Sequence, residues 1–124
     1  MIGKEKKENK EFFKKSIEYL RDKGFTNIKA DLSGHEKPKT FRAKKGDLRV
    51  TADITADKDG KKYFFDISLK SKKSKLLKSK WLLLDAVAGL KSDRFKIITT
   101  KGHLKFTDSL LSEVNLANKE PIKI

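Results

Sequence analysis

The sequence predicts an α/β domain built on a central mixed sheet with helices against its faces. Three observations carry that expectation. Segments 48–56 (LRVTADITA) and 61–70 (KKYFFDISLK) alternate in character and flank an Asp59-Gly60 turn, so they read as an antiparallel hairpin. The segment RFKIITT at 94–100 is nearly continuous in apolar residues, as strands inside a sheet are. Around these lie stretches whose apolar residues recur at helical spacing.

Taken in order, residues 7–23 predict an amphipathic helix. Phe12, Phe13, Ile17 and Leu20 share one stripe, Lys and Glu fill the other positions, and Gly24 supplies a stop. Phe25 opens a strand through TNIKADL, followed by a polar loop, SGHEKPKT, that contains Pro38. FRAKKGDLRV carries no decisive pattern beyond an extended reading with an irregularity at Gly46. The hairpin follows. Residues 74–91 predict a second helix with Leu77, Trp81, Leu84 and Val87 or Ala88 inward. After the strand at 94–100, LKFTDSLLSEVNLA contains a third helix, and PIKI ends the chain as a short strand. The predicted order is α-β-β-β-α-β-α-β.

At 124 residues the chain is expected to form a single domain, 1–124, with one modest core. Without cysteine there are no disulfides and no Cys-based zinc sites. The opening MIGKEKKENK is too charged for a signal peptide, and no apolar run approaches the roughly 20 residues that cross a bilayer. A cytoplasmic protein with no membrane partner is therefore expected. The net charge of +14, from 31 basic and 17 acidic residues, points to polyanions, because each neutralised phosphate releases counterions.

The hairpin decides what its acids do. With Asp59-Gly60 as the loop, Asp57 faces Lys62, Thr55 faces Phe64, Asp53 faces Asp66, Thr51 faces Ser68 and Arg49 faces Lys70. Thr51, Asp53, Asp66, Ser68 and Lys70 then share one polar face, while Val50, Ala52, Ile54, Tyr63, Phe65, Ile67 and Leu69 share an apolar one. Directly opposed residues have Cβ atoms roughly 4.5–5.5 Å apart, where like charges repel. A hard divalent ion between Asp53 and Asp66 relieves that repulsion. Two solvated acids beside surplus lysines are the other reading of the same residues. A three-residue loop with a bulge would put the acids on opposite faces.

At these residues the sequence resembles the PD-(D/E)XK nuclease superfamily, in particular the Holliday-junction-resolvase-like small nucleases. Their motif has an aspartate, often after proline, on one hairpin strand and an acid-x-lysine triplet on the next. Asp53 takes the first place, with Ala52 where proline is frequent, and Asp66 the second. The flanks agree over nearly the whole chain: YLRDKGF, DLSG, a helix after the motif, and FKIITTKGHLKF before the last helix. The resemblance implies a restriction-endonuclease-like fold, Mg²⁺ or Mn²⁺ held by Asp53 and Asp66 with the Ile67 carbonyl, and hydrolysis of phosphodiester bonds in DNA rather than RNA. It also implies a homodimer, as in many resolvase-like relatives. The triplet reads Asp66-Ile67-Ser68, so its lysine is missing. Lys70, about 6–7 Å farther along the strand, becomes the candidate for positioning water. The helix glutamate of resolvase-like members falls on Phe13, which leaves Glu11 and Glu36 as substitutes.

Residues 70–80, KSKKSKLLKSK, hold six lysines, and FRAKK adds more. Arg42, Lys44, Lys45, Lys72, Lys73, Lys75 and Lys78 are the candidate phosphate contacts. They favour binding that follows backbone and shape rather than base sequence. Trp81 is read as core and Phe64 as the better base-stacking candidate. Beside a small metal-dependent nuclease, the sequence leaves two alternatives: a nuclease-fold module that binds without cutting, and a basic adaptor that needs no metal.

Overall fold

The computed structural model describes residues 1–43 and 46–124. Two helices open the chain, α1 (Gly3–Glu8) and α2 (Lys10–Asp22), where the sequence predicts one. The break falls at Asn9, whose side-chain amide donates to the Glu5 carbonyl and so competes with helix continuation. α2 buries Phe13, Ile17 and Leu20, as its spacing requires, and stops at Gly24 with φ +90°.

The strands are β1 (Thr26–Ala30), β2 (Thr40–Arg42), β3 (Arg49–Thr51), β4 (Ile54–Lys58), β5 (Lys61–Ile67), β6 (Arg94–Thr99) and β7 (Ile122–Lys123). Helix α3 (Ser74–Lys91) joins β5 to β6, and α4 (Leu104–Glu113) joins β6 to β7. Five strands make one mixed sheet in the order β1-β4-β5-β6-β7, antiparallel up to β5 and parallel beyond it. β2 and β3 form a separate antiparallel pair. The Asp-Gly turn has the predicted two-residue form, with φ +53° at Asp59 and +75° at Gly60. It sets Lys58 opposite Lys61 and Ile54 opposite Phe65, the expected register.

Two expectations about the hairpin fail. Its first strand is not continuous: the chain bends at Ala52 and Asp53, so β3 pairs with β2 while β4 pairs with β5. Thr51 therefore meets Thr40 rather than Ser68, and Arg49 meets Arg42 rather than Lys70. The Ser68 amide instead donates to the Ile98 carbonyl at 2.8 Å. Nor is one face of the sheet polar, because both are buried. α2 packs over Ile54, Ala56, Phe65, Ile67 and Ile98 on one side. On the other, Leu77, Trp81, Leu84 and Ala88 of α3 join Leu110 and Leu111 of α4 over Phe64, Phe95 and Ile97. The bend carries Val50 and Ala52 into this second core, away from Ile54. Phe64 is only 2% exposed there, so it is a core residue and not a stacking platform. Trp81 is core, as expected.

Candidate active site

Asp53 lies in the bend just before β4, and Asp66 is the penultimate residue of β5. Because Asp53 and Asp66 lie one step beyond the last pair, Ile54 and Phe65, the bend and the strand end bring both carboxylates together at the same end of the two central strands. They are tied together through the backbone. The Ile67 amide donates to Asp53 Oδ2 at 2.8 Å, and the Asp53 amide donates to Asp66 Oδ1 at 3.3 Å. Both side chains are fully buried.

Two such acids need compensating charge, and cations surround them. The Met1 α-ammonium lies 2.7 Å from Asp53 Oδ2, 3.2 Å from Asp66 Oδ2 and 2.9 Å from the Ile67 carbonyl oxygen. Lys80 Nζ, from α3, lies 2.7 Å from Asp66 Oδ1 and 3.4 Å from Asp53 Oδ1, and donates to the Met1 carbonyl at 3.0 Å. Lys6 Nζ is 3.3 Å from Asp53 Oδ1 and also pairs with Asp31. Trp81 Nε1 donates to Asp66 Oδ2 at 2.8 Å.

This arrangement splits the two acids. Burial alone would raise Asp53, but the Lys80, Met1 and Lys6 charges overcome it and hold the carboxyl well below its ordinary value. Burial is also the leading effect on Asp66. Together with the neighbouring Asp53 charge it keeps Asp66 raised, despite Lys80 and the ammonium. For Lys80 burial acts downward, and the carboxylates of Asp53 and Asp66 outweigh it, so the amine stays above the usual lysine range.

The cationic partners Met1, Lys6 and Lys80, with Asp31, Arg49 and Thr51, line a cavity of about 310 Å³, while the two carboxylates themselves are fully buried and do not reach it. Two further hollows flank it. One of about 420 Å³ is lined in part by Lys6, Lys7, Lys10 and Lys37, and one of about 460 Å³ in part by Lys4, Lys70, Lys72 and Lys73.

Asp53 and Asp66 thus converge as expected, while the other named residues are dispersed. Lys70 lies beyond the end of β5 and is exposed, and its amide donates to His103 Nδ1 at 2.8 Å. The lysines at the carboxylates are Lys80, which reaches both, and Lys6, which reaches Asp53. Lys72, Lys73 and Lys75 are exposed, and Arg42 is exposed on β2. Lys78 is tied to Glu113. Lys44 and Lys45 lie outside the described residues. Glu11 and Glu36 are exposed, pair with Lys14 and Lys29, and make no bond to Asp53 or Asp66. Ser68 is fully buried, its hydroxyl 2.7 Å from that of Thr107.

Sequence reasoning missed Lys80 and Lys6. A signal for Lys80 was present: it sits three residues after Leu77 and four before Leu84, inside the buried stripe of α3. Among the described residues no three His, Cys, Asp or Glu side chains converge as a metal cluster. Two carboxylates and one carbonyl make up the oxygen set. No helix among the described residues is long and apolar enough to cross a membrane. Comparison with protein-family models, with curated proteins and with solved structures finds no match.

Proposed function

We propose that this protein is a metal-dependent nuclease of the PD-(D/E)XK type, with a restriction-endonuclease-like fold, that hydrolyses phosphodiester bonds in DNA. One observation carries the reading: the Asp53 and Asp66 carboxylates lie together, fully buried, beside the Ile67 main chain, with the Ile67 amide donating to Asp53 Oδ2 and the Asp53 amide donating to Asp66 Oδ1. Three oxygens with no nitrogen or sulfur among them form a donor set for a hard cation, so the residues fit Mg²⁺ or Mn²⁺. A divalent ion held there supplies Lewis acidity toward water and toward a phosphate oxygen. The chain's own part is to hold the oxygens in place. The cross-strand amide bonds fix both carboxylates, and Trp81 orients Asp66. Lys6, Arg49 and the flanking lysine-lined hollows give the mouth of the cavity the charge that a phosphate backbone requires.

A second reading, a nuclease-fold module that binds nucleic acid without cutting, is favoured by one specific observation. Ser68 holds the lysine position of the triplet and is committed to Thr107. Mn²⁺ is expected to raise the melting temperature of the wild-type protein through binding to the folded state, and Asp53→Asn to abolish that gain. Labelled duplex, single-stranded and branched DNA incubated with Mg²⁺ or Mn²⁺ separates the two readings. Cleavage lost in Asp53→Asn supports the nuclease, and binding without cleavage supports the module. A melting temperature indifferent to Mn²⁺ removes both metal-based readings.

A further inference from the structure

We propose that a lysine-ringed cleft between the sheet, β2 and the C-terminal end of α3 binds a phosphomonoester, the doubly charged phosphate at the end of a molecule. Nothing in this inference depends on a metal or on cleavage. The cleft has a volume of about 100 Å³, with Lys29, Lys39, Lys62 and Lys91 around it and Phe41 and Phe64 among its walls. It shares no lining residue with the cavity beside the acids or with the two hollows that flank that cavity.

Register and helix length bring the lysines together. Lys29 on β1 opposes Thr55 on β4, which opposes Phe64 on β5, so the three form one row across the sheet. Lys62 lies two residues before Phe64 and shares its face, the one that α3 covers. Lys91 closes the last turn of α3, and Lys39 stands just before β2. The Lys39 and Lys91 ammonium groups both rest over the Phe41 ring, 5.7 Å and 5.1 Å from its centroid, and that ring packs on Phe64 with centroids 5.5 Å apart. Attraction to one ring holds two like charges near each other before any ligand arrives, which lowers the ordering cost of binding.

Charge and size select the ligand. Among the described residues Glu36 is the single acid paired with any of the four lysines, at 3.6 Å from Lys29 Nζ, so three ammonium charges stay uncompensated. Asp57, opposite Lys62 in register, accepts instead from the Asn27 amide at 3.0 Å. Lys29 and Lys62 are half-buried, where water compensates an ammonium less than at the open surface. Solubility calls for charges of both signs spread over the surface, not for lysines from four separate segments converging on one cleft. A phosphodiester inside a strand brings one negative charge and a phosphomonoester about two. The cleft's 100 Å³ is the space of about three water molecules. That admits a phosphate group from the end of a molecule and is too small for a strand to pass through.

The cleft is a second site and not an annex of the acid cluster. Thr55 and Phe64 stand two residues from Asp53 and Asp66 on the same strands, about 7 Å along them. Lys91 stands eleven residues beyond Lys80, about 16 Å along α3. The phosphate is held there by charge-assisted hydrogen bonds from the ammonium groups, and no bond to phosphorus forms or breaks. Two sources carry this chemistry, a free mononucleotide and the phosphorylated end of a strand.

Isothermal titration calorimetry in metal-free buffer tests the site with inorganic phosphate, thymidine 5′-monophosphate and diethyl phosphate. Wild type is expected to bind phosphate and the mononucleotide about tenfold or more tighter than the diester. Lys39→Gln combined with Lys91→Gln removes two donors from exposed residues, so the fold is kept, and is expected to weaken both ligands about tenfold or more. Lys101→Gln combined with Lys105→Gln removes the same charge from exposed positions outside the cleft and is expected to change them by less than about twofold. A single-stranded oligonucleotide with and without a 5′-phosphate identifies the source. A preference for the phosphorylated strand that is lost with Lys39 and Lys91 assigns strand ends, and mononucleotide binding without that preference assigns the free nucleotide. Wild type that binds no phosphate, or binds diester and monoester alike, overturns the proposal, as does an equal loss in the two double variants.

Discussion

Asp53 and Asp66 share one environment but carry charge on different terms. Asp53 is held below the ordinary carboxyl value of 3.8, so its contribution to stability is fully present above pH 3.8 and is lost as pH falls below that value toward the folded-state one. Asp66 is held above 3.8, so the folded state keeps its proton to higher pH than the unfolded chain does. That preference favours folding at low pH and is lost as pH rises through the raised value. At neutral pH, Asn therefore removes a favourable charge at 53 and relieves an unfavourable one at 66. Asp53→Asn is expected to cost up to about 3–5 kcal/mol, the scale for breaking a buried pair. Asp66→Asn is expected to cost clearly less, and the difference should narrow below pH 3.8. Urea denaturation of both variants at pH 7 and pH 3 checks this, and the opposite order at pH 7 contradicts the asymmetry. The acids were legible in the sequence because their spacing and the Asp-Gly turn fix a register. Lys80 was not, because it stands in a run of six lysines. The apolar stripe that would have singled it out is blurred by Leu76, Leu82 and Leu90, which are exposed on the same helix.

At the scale of elements, the hairpin turn and helix α3 determine whether the site forms. Gly60 has φ +75°, and a Cβ there would meet nothing within 4 Å, so Gly60→Ala tests the backbone alone. The left-handed conformation costs a non-glycine residue about 1–2 kcal/mol, and that is the expected loss of stability in a urea melt. Since the turn fixes which residues oppose, a larger loss accompanied by a lost Mn²⁺ shift would mean that register had slipped. Trp81 links helix to strand through its bond to Asp66. Trp81→Phe retains most of the packing and removes that bond. It is expected to cost about 1.5–3 kcal/mol for the hydrogen bond to a charged group, plus the loss of buried ring. A cost near zero would show that Asp66 is held by its remaining partners, Lys80, the Met1 ammonium and the Asp53 amide, without Trp81. The sequence made these elements readable wherever a local rule acts: an Asp-Gly turn, a helix of 18 residues over 74–91, an apolar strand over β6. It concealed the bend between β3 and β4, because Ala52 and Asp53 bear neither glycine nor proline and the alternation runs unbroken through them. What sets that bend is tertiary. The Asp53 carbonyl accepts from the Asp31 amide at 2.8 Å, a partner far away in sequence.

For the whole molecule the dominant quantity is charge, and its placement matters more than its sum. The cavity lined by Met1, Lys6 and Lys80 shares Gly3, Lys6 and Asp31 with one lysine-lined hollow and Ile2 with the other, so on the proposed reading a backbone crossing from one hollow to the other passes over the cationic groups that cover the acids. Lys72 and Lys73 line one hollow and are exposed, and on the proposed nuclease reading they are the residues that would release counterions to a phosphate. Lys78 belongs to the same lysine run but already pairs with Glu113 on α4. Gaining a phosphate there means losing a carboxylate, and the net release of counterions is smaller. The salt dependence of duplex binding distinguishes these positions without any need for cleavage, provided it is measured in EDTA so that no metal contributes. Replacing both Lys72 and Lys73 by Ala is expected to reduce the slope of log K against log salt by up to about 1.8, from about 0.9 for each phosphate contact. Lys78→Ala is expected to change it by much less. Equal slopes for wild type and the double variant would move the DNA track away from this hollow, toward the side lined by Lys7, Lys10 and Lys37, whose triple replacement should then carry the missing slope.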